Sequence, residues 1–218
     1  MGELRSIQVM LLMLLLTAQF APSGEVIEGI VATVNGHPVL TSQLDQAIEY
    51  QCLLRQTACD ISSVQMRDAT LQRLIEQTLV QEQMKGAALA TNDREVAQKL
   101  AELRQSLLAK DNSDSEWLQL LDRHGLSEND VAEQVRREIL IRRYIDGRFR
   151  STVHIERDAI EAYYEKTLLP QLQKFGGPVP AFASVEGEIR EILMQQEIDK
   201  QFSSWLEALR QSSKIEVR

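Results

Sequence analysis

The sequence predicts a mostly α-helical chain with a small antiparallel sheet, built from an N-terminal β-hairpin and a strand at the C-terminus. Three observations predict it. Residues 30–40 form two short β-branched arms around Asn35-Gly36, and Asn-Gly accepts the positive φ values that a type I′ turn needs. Residues 214–218 alternate polar and apolar. Between these ends, apolar residues recur at helical spacing in several stretches that begin with good capping residues. An isolated hairpin is marginal in water and needs a third strand or a helix to cover it. The two ends are therefore expected to pair and to enclose the helical body.

With 218 residues, the chain can bury one good-sized core or two small ones. Its net charge of −8 argues against nucleic acid as a partner, because binding phosphates requires a basic patch to displace counterions. Residues 1–24 follow the plan of a secretory signal peptide. Arg5 precedes a short apolar run from position 9 to 16, and Ala18, Ala21, Ser23 and Gly24 follow. That run is shorter than the ~20 residues of a spanning helix, so a cleaved leader is expected rather than a stable membrane anchor, and the mature chain is expected to be exported.

The elements follow in order. In the hairpin, Ile30, Ala32 and Val34 share one face, and Pro38 marks the second arm as an edge. Ser42 and Asp45 fit a capping box for a helix carrying Leu44, Ala47 and Ile48 inward. A polar break spans 57–63. Residues 68–84 carry the clearest stripe: Leu71, Leu74, Ile75, Thr78 and Leu79. Thr91 or Asn92 caps a helix with Val96, Leu100, Leu103 and Leu107. After a loop at 110–114, Ser115 precedes a short helix containing Trp117, and Gly125 stops it. Ser127 caps a longer helix through Val131, Val135, Ile139 and Ile145, with a charged outer face. Helix returns over 156–166. Residues 167–184 hold Pro170, Gly176, Gly177, Pro178 and Pro180 and read as a linker. A closing helix and the terminal strand occupy 185–218. Residues 25–218 thus form one helical unit: an N-terminal part at 25–166, the linker, and the closing helix and strand.

Signatures of catalysis are missing from the sequence: it has no Walker A, Rossmann, zincin or nucleophile-elbow motif. His37, His124 and His154 have no Cys, His, Asp or Glu partner at metal-ligand spacing, so neither a metal nor a cofactor is expected. Cys52 and Cys59 would stand about 10.5 Å apart on one continuous helix, too far for a bridge. If the helix ends near Arg55 the chain can fold back and join them, so a disulfide and two independent thiols both stay open. Met66, Tyr163, Tyr164, Phe175 and Phe182 are the candidate peptide contacts, chosen as aromatics near the linker and a flexible thioether at a groove edge.

Five stretches together resemble one family. They are IVATVNGHPVLTSQLDQAI, DATLQRLIEQTLVQEQMK, GLSENDVAEQVRREILIRRYI, TVHIERDAIEAYYEK and the closing VEGEIREILMQQEIDKQFSSWLEALRQSSKIEVR. Taken in that order after an export signal, they resemble the core of SurA-type periplasmic chaperones, and the resemblance covers nearly the whole mature chain. It implies a helical chaperone core made of N- and C-terminal parts. In that family, parvulin prolyl-isomerase domains stand between the second-last and last of these stretches. Here only 167–184 fills the gap, far below the ~50 residues of a small domain, so the parvulin histidines and cysteine have no counterpart. The expected function is a periplasmic holdase that binds unfolded, outer-membrane-destined polypeptides without isomerase activity. The rival readings are an exported adaptor for one dedicated partner, and a prolyl isomerase.

Overall fold

A computed structural model of the chain describes residues 28–87, 89–108, 113–176 and 178–218. The expected leader at 1–24 lies outside the described residues, as does most of the loop at 110–114.

Strand β1 (Ile30–Val34) turns through Asn35-Gly36 into β2 (His37–Leu40). Asn35 and Gly36 have φ of 50° and 85°, the two left-handed residues of a type I′ turn. Ala32 faces Val39 and Val34 faces His37, with an irregularity between Ile30 and Ala32. Strand β3 (Ile215–Val217) pairs antiparallel with the other side of β1, Ala32 facing Val217 and Val34 facing Ile215. The order β2-β1-β3 leaves β2 at an edge. Val34 and His37 close the turn, so ladder alternation points the nitrogen of Pro38 outward, where its missing N–H interrupts nothing.

Asn35 does more than adopt the turn. Its backbone N–H donates to the Lys214 carbonyl at 2.8 Å, and its Oδ1 accepts from the Lys214 N–H at 2.8 Å. Its Nδ2 donates to Glu82 at 2.7 Å and to Ser213 Oγ at 3.2 Å. His37 bridges the same carboxylate through Nδ1 at 2.9 Å.

Helix α1 (Thr41–Arg55) starts with no residue between it and β2. The expected Ser42–Asp45 capping box does not form, because Leu40 is still paired with Ile30 and already occupies the cap position. Gln43 Oε1 accepts from the Leu40 N–H at 3.0 Å. Ser42 bonds Glu28 instead, and Asp45 pairs with Arg67 at 2.5 Å. Gln56, left-handed at φ 53°, ends α1.

Helix α2 (Val64–Met84) starts four residues before the expected Asp68, capped by Ser63. Helix α3 (Asp93–Leu107) is capped by Asn92, whose Oδ1 accepts from Glu95 N–H at 2.7 Å. Helix α4 (Asp114–Arg123) takes Ser113 as its cap, not Ser115 as the boundary predicted from sequence implied. Helix α5 (Glu128–Phe149) has the reciprocal Ser127–Asp130 capping box and runs through Gly147.

The expected linker at 167–184 is largely helical, which corrects the sequence reading. Helix α6 (Arg157–Tyr163) passes through a π turn (Tyr164–Leu168) into α7 (Leu169–Phe175). Pro170 sits directly after the π turn, in the first turn of α7. Just before it, the Leu169 N–H reaches back five residues to the Tyr164 carbonyl; that widened turn precedes the proline instead of a break. Helix α8 (Phe182–Ser212) follows, so the segment between the two helices shrinks to 176–181.

Among the described residues the core lies in three clusters. Ala32, Val34 and Val39 of the sheet pack on Leu44, Ile48, Leu71, Ile75 and Leu79, with Leu206 and Leu209 of α8 partly buried against them. Trp117, buried and donating through Nε1 to Glu128 at 2.7 Å, anchors the second with Leu53, Val96, Leu121 and Val131. Phe149, Val153 and Ile198 form the third, where α5 meets α8. Phe149 stands edge-on to Trp205 at 5.8 Å.

Three substitutions test this packing and this network. Ile75 is fully buried, so Ile75→Ala is expected to lower unfolding free energy by about 2–5 kcal/mol in urea titration. Asn35→Gly keeps the turn but removes the side-chain bonds, with an expected loss of about 0.5–1.5 kcal/mol. Asn35→Asp sets a carboxylate against Glu82 and is expected to cost more than Asn35→Gly at neutral pH. Equal stability of Asn35→Gly and the parent chain would remove the network from this account.

Candidate functional site

Several helices share an apolar opening, a trough between α1, α2, α5 and α8 of about 750 Å³ in volume. Its existence follows from how the helices are paired. Helix α5 spends one face on α3 and its C-terminal end on α8, while α1 and α2 pack beneath the sheet. Residues between these contacts have apolar side chains and no helix over them. Leu54, on the last turn of α1, is 41% exposed for this reason. With Leu74, Ile141, Ile145, Phe202 and Leu206 it makes the apolar floor. A second hollow, about 680 Å³, runs between α3 and α5 and shares Tyr50, Leu54, Glu138, Arg142 and Asp146 with the first. The two hollows adjoin along α5.

The rim is charged and mixed. Arg73 and Arg142 stand against Glu76, Glu138, Asp146 and Asp199, two cations against four carboxylates. Arg73 is held by Thr70 Oγ1 at 3.1 Å and by Gln51. Burial, and then the neighbouring charge of Arg55, lowers the Arg73 pKa from its ordinary value. Tyr50 is buried at the junction of the two hollows. Burial first, and then the Glu138 carboxylate that accepts its hydrogen bond, pushes the Tyr50 phenol well above its ordinary value. It stays a protonated donor. Chemically, the lining can bury apolar side chains and hold hydrogen bonds at its margins.

The residues singled out in the sequence lie elsewhere. Met66, in the first turn of α2, is partly buried against the hairpin cluster. Tyr163 ends α6, half-buried. Tyr164 donates through its hydroxyl to the Pro180 carbonyl at 2.7 Å and meets Phe182 edge-on at 5.4 Å. Arg157 lies 6.0 Å from the Phe182 ring centroid. Tyr164 and Phe182 therefore clasp the turn between α7 and α8, far along the chain from Met66. Phe175 ends α7, and its side chain lies outside the described residues. Leu74 and Ile145 lie on the apolar stripes of α2 and α5, where residues that face a gap follow the same spacing as residues that face a neighbour. The one available signal was the width of the apolar run on α5, Ile139-Leu140-Ile141 and Ile145, which exceeds what one neighbouring helix covers.

Cys52 and Cys59 are joined in a disulfide with Cα atoms 5.7 Å apart, closing the loop that Gln56 begins. Beside it, His124 Nδ1 lies 3.0 Å from Glu49 Oε2.

Comparison with known proteins agrees with this architecture. A family model described as a SurA-like N-terminal domain matches residues 3–145. The chaperone SurA of Pseudomonas savastanoi pv. phaseolicola (strain 1448A / Race 6) is 26% identical over 152 residues, covering 69% of this chain and 35% of that protein. The chaperone SurA of Pseudomonas syringae pv. syringae (strain B728a) is 25% identical with the same coverage. The chain thus spans about a third of the length of the curated relatives it matches. A solved structure from work on PEB4 and Cj1289, two structurally related SurA-like chaperones of Campylobacter jejuni, superposes with a TM-score of 0.51 at 12% identity. That superposition covers 87% of this chain and 99% of the other, and it speaks to the fold alone. Among the described residues, no helix is long and apolar enough to cross a membrane. With residues 3–145 matched, more than half its length, the chain belongs to the SurA-like N-terminal domain family.

Proposed function

We infer that the chain acts as an exported, holdase-type chaperone of the periplasm, binding unfolded polypeptides bound for the outer membrane. The observation that carries the reading is the open apolar trough between α1, α2, α5 and α8 in a member of a SurA-like family. Such a floor buries apolar side chains of any sequence. The excess of carboxylates on the rim favours client segments that are apolar at the centre and neutral or basic at the flanks. Binding of this kind is exchangeable, since each side chain that inserts contributes only ~1.5–3 kcal/mol against the ordering of a flexible client.

The same reading assigns no isomerase activity to the chain. Between α7 and α8 stand only residues 176–181, where an isomerase domain would need to be inserted. Tyr164 and Phe182 hold that turn closed on itself.

The experiment pairs aggregation suppression of an unfolded outer-membrane barrel protein with a prolyl-isomerisation assay on the mature chain. Suppression without isomerisation is the expected result. Tight, stoichiometric capture of one folded protein with no suppression would favour a dedicated adaptor. Isomerisation that survives repurification would assign chemistry to the 167–184 region.

Leu54→Glu tests the trough itself. Leu54 is already 41% exposed, so the substitution leaves the core intact, with an expected stability change within about 0.5 kcal/mol. It puts a fifth carboxylate at the margin of the floor, and client affinity is expected to fall at least fivefold. Phe175→Ala with Phe182→Ala addresses the distant aromatic set. The lost Tyr164–Phe182 ring pair costs about 0.5–1.5 kcal/mol of stability; a fall in client affinity would add that end of the molecule to the binding surface, and unchanged affinity would restrict it to the trough.

A further inference from the structure

The fold brings together three side chains that no local spacing rule connects. Glu49 lies on α1, Cys59 in the loop that follows it, and His124 at the C-cap of α4. Their ligand atoms all lie within 4.8 Å of one another. The His124 and Glu49 side chains are mostly buried, 10% and 23% exposed, and already share a 3.0 Å contact. All three residues line one solvent-connected hollow, which gives an ion a path in. Asp122 and Glu116 on the same hollow favour a cation, with Arg123 opposing them.

We propose that Glu49, Cys59 and His124 form a binding site for a borderline-soft divalent cation of the zinc class, open only when the Cys52–Cys59 disulfide is reduced. In the oxidised chain the Cys59 sulfur is spent on the bond to Cys52 and is no thiolate ligand. A dithiol reductant supplies the two electrons: the S–S bond breaks, the reductant becomes its own disulfide, and Cys52 and Cys59 each take up a proton. The cation then binds the Cys59 sulfur, releasing that proton to solvent, together with a ring nitrogen of His124 and a Glu49 oxygen. Thiolate, imidazole and carboxylate are the donors such an ion prefers, and four-coordination leaves one position for water. Cys52 is 2% exposed, is packed into the hairpin cluster and does not line the hollow that Glu49, Cys59 and His124 share. Disulfide and ion are thus alternative ways of using one sulfur. The first ties the 56–63 loop to α1, and the second ties it to the α4 terminus as well.

Cobalt(II) is the probe, because a thiolate ligand gives it a near-ultraviolet charge-transfer band and tetrahedral geometry gives strong visible bands. The Cys52→Ser chain carries a free Cys59 without any reductant present. It is expected to show both bands at one equivalent, and zinc is expected to displace them. His124→Ala and Glu49→Gln in that background should each weaken cobalt binding at least tenfold. The oxidised parent chain should show no charge-transfer band. The parent chain reduced by a phosphine provides the same reading should Cys52→Ser fold poorly. Absence of the band in both reduced forms overturns the proposal, as does binding that ignores both His124→Ala and Glu49→Gln.

Discussion

Strand β1 has two hydrogen-bonding edges, and both are used: one by β2, which follows after the two-residue turn, and the other by β3, at the far end of the chain. This pairing is the constraint from which the rest of the structure follows. A two-stranded hairpin would not persist alone, and β3, at three residues, would not either. Asn35 locks them to each other, since it closes the turn with its backbone while its side chain holds the entry to β3 and the end of α2. A chain whose terminal strand must return to its first hairpin needs an element that covers the distance. Helix α8, with 31 residues, reaches about 45 Å at 1.5 Å per residue.

The trough is a consequence of that reach. Helix α8 is anchored at its C-terminal end against α2 and the sheet, and in its middle against α5 through Phe149, Ile198, Phe202 and Trp205. Between those anchor points it bridges two bodies, the hairpin cluster and the Phe149 cluster, which have separate cores. The space spanned is lined by side chains that each helix turned toward its neighbour and that no neighbour fully covers. An apolar surface left open in this way marks a binding site when it is continuous and rimmed by charge. Here the rim is continuous along α5, where Glu138, Arg142 and Asp146 serve both hollows.

Much of this was legible in the sequence, and the reasons differ by element. The hairpin and its third strand were readable because Asn-Gly and strict alternation have few other physical uses. The buried stripe of α2 was readable because Leu71, Ile75 and Leu79 face one cluster only. Helix starts were less so: the Ser42–Asp45 pattern satisfied the rule for a capping box, yet the strand pairing of Leu40 pre-empted it. At 167–184 the density of proline and glycine suggested a linker, but a π turn let the helix pass Pro170. The trough was not readable, since residues facing a gap and residues facing a neighbour obey the same periodicity. Neither was the meeting of Glu49, Cys59 and His124, which are separated by up to 75 positions; spacing rules find ligands on one turn of helix and not ligands assembled by packing.

The electrostatics of the trough set what it can hold. The chain carries a formal charge of −8, and the rim repeats that sign with two more carboxylates than arginines. An acidic segment would meet repulsion both at distance and on contact. An apolar segment loses water on the floor while its backbone finds donors and acceptors at the margins, in Gln51, Gln77, Gln134 and Gln195. Amides of this kind pair with any peptide group and select none, so the side chains of the client choose only by being apolar. Selectivity of that sort is broad, and its strength rises with the number of apolar side chains a segment can lay down at once. A folded protein has few of them in one stretch, and an unfolded one has many; under the proposed function, the trough would distinguish the two by how much apolar chain is free, without any contact specific to a sequence.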